Sequence, residues 1–127
     1  MSARILIADD NPHIRQALRT LLQENPEWQV CGEAVDGRDA VAKARQLTPD
    51  LVVLDFLMPG LNGLEAAREI TSTVPNARVL MCTMYLSRQL SRVARNSGLR
   101  GAISKGRATQ LARGVEALLR GETFFEA

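Results

Sequence analysis

Residues 51–54, Leu-Val-Val-Leu, form an unbroken apolar run between Asp50 and Asp55. Successive side chains of a strand point to opposite faces, so a run with no polar position needs cover on both. It is too short for a helix. The segment therefore predicts an inner strand of a parallel sheet with helices packed on either side.

The rest of the chain repeats that plan. Arg4–Ala8 reads as a strand ending in Asp9-Asp10, and Asn11 and Pro12 suit the N-cap and first position of a helix over 12–24. Trp28–Val35 predicts a second strand, with Trp28 packed at a strand edge. Ala40, Val41, Ala44 and Leu47 mark a second helix that stops before Pro49. Asn62-Gly63 opens a third helix through Leu64, Ala67 and Ile70. Arg78–Cys82 is a fourth strand, followed by a helix marked by Leu86, Leu90 and Val93. Gly101–Ser104 is a short fifth strand. Leu111, Val115, Leu118 and Leu119 mark the last helix, with Gly121 as its stop. Five strand–helix units joined by short loops argue for a doubly wound α/β sheet.

Ligands of such sheets bind beyond the carboxyl ends of the strands. The first strand delivers Asp9 and Asp10 there, the third Asp55, the fourth Thr83 and the fifth Lys105. Carboxylates gathered that closely repel, by about 4 kcal/mol for two unit charges ~4 Å apart at an effective dielectric of 20. Protonation or a cation relieves the repulsion. A divalent cation suits the set better, since Mg²⁺ takes one or two carboxylates, waters and phosphate oxygens. With the charge neutralised, Asp55 is competent as a carboxylate nucleophile toward phosphorus.

Other features exclude functions or carry none. The chain has 127 residues, enough for one domain. Its formal charge of +2, from 16 basic and 14 acidic residues, argues for neither nucleic acid nor membrane as a partner. No apolar run approaches the ~18 residues of a membrane span, and MSARILIADD lacks a signal-peptide core, so the protein is expected in the cytoplasm. Cys31 and Cys82 lie at no metal-ligand spacing and read as reduced thiols. His13 reads as a solvated side chain, and Arg88, Arg92, Arg95 and Arg100 as a solvated basic face.

The segments ILIADDNP, LVVLDFLMPGLNGLE, VLMCTM and GLRGAISKG resemble, in that order and spacing, the receiver domains of two-component response regulators. CGEAVDGRDAV and LLRGETFF further resemble the NarL/LuxR-type subfamily. The resemblance implies a flavodoxin-like (βα)5 fold over residues 3–122, with a five-stranded parallel sheet in order 2-1-3-4-5 and helices on both faces. Residues 123–127 would begin a linker or tail. It implies Asp55 as phosphoacceptor, with Mg²⁺ (or Mn²⁺) held by Asp9, Asp10, Asp55 and the Leu57 backbone carbonyl. Thr83 becomes the switch hydroxyl and Lys105 the phosphoryl contact. Tyr85, the nearest aromatic after Thr83, reads as lining the pocket entrance and tuning phosphoryl lifetime together with Leu57, the alternative being a substitute switch role. The implied partners are a sensor histidine kinase, a second copy of the chain on phosphorylation, and DNA only through a further C-terminal helix-turn-helix domain. Chemistry would be limited to self-phosphorylation and autodephosphorylation.

Two positions depart from the family pattern. Gly106 follows Lys105 where Pro or Asp is frequent, a change expected to alter only the loop. Ala102 stands three residues before Lys105, where receivers commonly carry an aromatic switch residue. A stand-alone receiver acting through protein contacts is the alternative within the class. A haloacid-dehalogenase-type phosphotransferase fits less well, because its nucleophile sits in a D-x-D pair after the first strand and here Asp9-Asp10-Asn11 stands there. A flavodoxin-like flavin carrier needs a Ser/Thr-rich first loop, and this one is acidic.

Overall fold

A computed structural model describes residues 2–106 and 108–126. The strands are β1 (Ala3–Ala8), β2 (Trp28–Ala34), β3 (Leu51–Leu54), β4 (Arg78–Thr83), β5 (Gly101–Ser104) and β6 (Phe124–Phe125). The helices are α1 (Pro12–Leu22), α2 (Gly37–Leu47), α3 (Gly63–Thr73), α4 (Arg88–Asn96) and α5 (Ala108–Leu119). All strand pairs are parallel, in the order β2-β1-β3-β4-β5-β6.

The sheet is the expected flavodoxin-like one with a correction: it has six strands, not five. A Phe-Phe dipeptide is too short to leave a periodic signal, and its pairing depends on Gly101. A Cβ there would lie 2.6 Å from the Phe124 carbonyl oxygen, so only glycine lets the added strand approach.

Alternation along the inner strands divides the core into two layers. Leu6, Ala8, Val52, Leu54, Val79 and Met81 face α2, α3 and α4, while Ile5, Ile7, Leu51, Val53, Leu80 and Cys82 face α1 and α5. Leu51–Leu54 is buried throughout, as its composition demands. Trp28 begins edge strand β2 and packs against the α1–α5 layer.

Asn11 caps α1 by accepting from the His13 and Ile14 N–H groups, and His13 is exposed. Asn62 and Glu65 form a reciprocal capping box on α3. Helix α4 departs from the pattern read in its sequence. Leu86 precedes the helix and Val93 is 40% exposed, while Ser91 and Ala94 form the buried face. Small side chains face the sheet, Leu86 and Leu90 pack at the edge of the core, and Val93 is left toward solvent.

Candidate functional site

The parallel register brings four strand ends to one level. The Asp55 N–H donates to the Ala8 carbonyl at 3.0 Å, and the Lys105 N–H to the Thr83 carbonyl at 3.0 Å. Asp9 and Asp55 are buried, at 1% and 6% exposure, and Asp10 is exposed. One carboxylate oxygen from each of Asp9, Asp10 and Asp55 lies within 4.8 Å of the others.

Lys105 closes the cluster. Its Nζ stands 2.6 Å from Asp9 Oδ2 and 3.1 Å from Asp55 Oδ2, where it donates a hydrogen bond to Asp55. Burial opposes the ammonium charge, but the Asp9 and Asp55 carboxylates outweigh it and raise the Lys105 pKa. Burial raises the Asp55 pKa, with the Asp9 charge adding to it; Lys105 and the Leu57 N–H oppose that rise without cancelling it. A proton is therefore held more tightly on Asp55 than on a free aspartate, and one cation does not fully neutralise the crevice.

The remaining donors fit a further cation. Asp9 Oδ1 accepts the Asn11 N–H at 2.9 Å, while the buried Oδ2 has no aligned hydrogen-bond donor, the ion pair with Lys105 being close but oblique. An all-oxygen set with a buried oxygen lacking a hydrogen bond is the chemistry that hard divalent ions such as Mg²⁺ select. Thr83 is buried, and its Oγ1 accepts the Tyr85 N–H at 3.3 Å. Leu57 and Tyr85 stand at the rim, 49% and 65% exposed, and Ala102 is fully buried in the α2–α4 layer.

Cys82, under the crevice in β4, is held as a thiol, its pKa pushed up to about 12 by burial. Cys31 is half-buried and also free, its pKa raised by burial. Arg88, Arg92, Arg95 and Arg100 are exposed as expected, and the Arg95 guanidinium lies 4.2 Å above the Phe125 ring.

Gly63, a helix start in the sequence pattern, also supports the site. A Cβ on it would fall 2.5 Å from the Asp55 carbonyl oxygen and 2.8 Å from Phe56 Cα, and its N–H donates to the Phe56 carbonyl at 2.8 Å. Glycine thus lets α3 start directly against the backbone carrying Asp55. Gly63→Ala is expected to destabilise the fold by about 2–3 kcal/mol through overpacking against backbone. It should also slow chemistry at Asp55 by up to about 100-fold through misplacement. A urea midpoint and a single-turnover labelling rate measure the two effects.

A family model described as the response regulator receiver domain matches residues 5–116. The chain is 32% identical over 123 residues to the transcriptional regulatory protein YxjL of Bacillus subtilis, covering 96% of this chain and 56% of YxjL. It is 33% identical over 127 residues to the response regulator protein VraR of Staphylococcus epidermidis, covering 99% of this chain and 61% of VraR. A solved LuxR-family two-component response regulator from Aurantimonas sp. SI85-9A1 superposes with a TM-score of 0.93 at 34% identity. That match covers 98% of this chain and 89% of the solved one. The chain thus spans about three fifths of the length of these two curated relatives.

Proposed function

The chain belongs to the response regulator receiver domain family of two-component signalling, and from that membership we propose that Asp55 accepts a phosphoryl group from a histidine kinase. The single observation that carries the assignment is the buried Asp55 carboxylate held 3.1 Å from Lys105 Nζ and within 4.8 Å of the Asp9 and Asp10 oxygens. In the transfer, an Asp55 carboxylate oxygen bonds to phosphorus as the phosphorus–nitrogen bond of the donor phosphohistidine breaks. The imidazole leaves with the electron pair and takes up a proton.

Asp9, Asp10, Asp55 and the Leu57 carbonyl would hold Mg²⁺, which supplies charge neutralisation for the incoming phosphoryl oxygens. Lys105 keeps one phosphoryl oxygen paired, and the Thr83 hydroxyl turns from accepting the Tyr85 N–H to donating to another. Leu57 and Tyr85, exposed at the rim, set how readily water reaches the acyl phosphate and hence its lifetime. Hydrolysis of that bond is the chain's own limited chemistry.

The receiver unit is assigned to residues 3–122, and residues 123–127 open a tail or linker that also carries β6. By analogy with the regulators it matches, the output is transcriptional, through a DNA-binding domain beyond this chain and a phosphorylation-dependent dimer, in the cytoplasm. Among the described residues, no helix is long and apolar enough to cross a membrane.

Incubation with Mg²⁺ and a small acyl phosphate, read by intact mass and peptide mapping, should add one phosphoryl group, on Asp55 and only with the metal. Label on any other residue would overturn the assignment.

A further inference from the structure

The sixth strand runs along β5 toward the strand ends that carry Ser104 and Lys105. The Phe124 and Glu126 amides donate to the Arg100 and Ala102 carbonyls at 3.0 and 2.9 Å, which sets Phe125 beside Ala102. Phe125 packs against the same apolar layer that contains Ala102. The ring that position 102 does not supply thus comes from the neighbouring strand.

Both carboxylate oxygens of Glu126 are engaged. Oε1 accepts the Ser104 N–H at 2.9 Å, one residue before Lys105, and Oε2 accepts from Gln110 Nε2 at 2.8 Å. Helix α4 grips the other side of the segment. Ser91 Oγ donates to the Glu126 carbonyl at 3.1 Å, and Arg95 covers the Phe125 ring.

We propose that Phe124–Glu126 is the transmission element of this receiver, a latch that α4 and β5 hold closed and that phosphorylation of Asp55 releases. The proposal rests on Asp55 being the acceptor. The direction of release follows from the Thr83 hydroxyl. When it turns to a phosphoryl oxygen, residues 84–87 are drawn toward the crevice, and α4 moves with them off Glu126 and Phe125. The phosphoryl group also adds about 1.5 to 2 negative charges at the strand ends, where Glu126 holds the Ser104 N–H at the end of β5. Repulsion loosens the same grip. A two-residue strand is among the least stable parts of a fold, so a modest bias moves it.

Amide exchange and chemical shifts of the ¹⁵N-labelled chain test this, with Mg²⁺ and beryllium fluoride as a non-hydrolysing phosphoryl mimic. The Phe124 and Glu126 amides should exchange at least about fivefold faster when the mimic is bound, the low end of typical coupling. Their resonances should move toward random-coil positions. Coupling is reciprocal, so Glu126→Ala and Ser91→Ala, which open the latch in advance, should each bind the mimic about fivefold more tightly. Unchanged Phe124 and Glu126 amides in mimic-bound protein, or wild-type mimic affinity in both variants, would overturn the latch while leaving the acceptor standing. Failure of wild-type protein to bind the mimic would overturn both.

Discussion

Metal-free Lys105→Met protein is expected to lose about 3 kcal/mol of stability, the lower end for breaking a buried ion pair, and to melt roughly 10 °C below wild type. Lys105 Nζ lies within 2.6 and 3.1 Å of Asp9 and Asp55, both buried, so its removal takes away the cation that the described residues place between these two carboxylates. The loss should depend on pH in a defined sense. Without the ammonium, the Asp55 carboxyl is raised further above its ordinary value than in wild type. A raised folded-state pKa gives stability that is present below the unfolded value and lost as pH rises through the folded one. The variant's deficit is therefore largest near neutrality and shrinks on acidification. Saturating Mg²⁺ should recover part of it, since a cation bound only by the folded state stabilises it. Calorimetry across pH, with and without Mg²⁺, measures all three effects. A variant that melts with wild type in the absence of metal would remove Lys105 from the charge balance. In wild type the raised Lys105 pKa contributes stability that is lost only above the ordinary lysine range.

Asp55→Asn is expected to act in the opposite direction on stability and to abolish function. Burial and Asp9 together outweigh Lys105 at this carboxyl, so its ionised form carries a net penalty in the fold. Asparagine keeps the shape and deletes the charge, for a gain of roughly 1 kcal/mol at neutral pH without metal, the scale of a partly screened like-charge pair. The gain should vanish as pH falls and wild-type Asp55 protonates. Labelling by an acyl phosphate should drop to background, and Mg²⁺ should stabilise the variant less than wild type. A less stable Asp55→Asn protein would mean that the Lys105 contact, rather than repulsion and burial, dominates at Asp55.

Most of the fold was legible because its signals are local. The apolar runs at Leu6, Leu54 and Leu80 each fall within one strand, and the caps at Asn11 and Asn62 act within one helical turn. Helix α4 carries a less direct signal. Of its apolar positions Leu90 packs at the edge of the core, while Val93 lies toward the surface because Ser91 and Ala94 form the face against the sheet. Periodicity gives an amphipathic pattern but not which face a crowded neighbour accepts.

The candidate site divides in the same way. Residue order alone shows that Asp9, Asp10, Asp55 and Lys105 follow strands and that Thr83 ends one, and parallel register then places them together. That Lys105 bridges Asp9 and Asp55, that Gly63 seats α3 on the Asp55 backbone, and that Phe125 lies beside Ala102 emerges from the packed chain alone. Those three depend on contacts between residues distant in the chain, set by clearances of a few ångströms. Residue order carries the types that can meet; the packed sheet and helices fix which of them do.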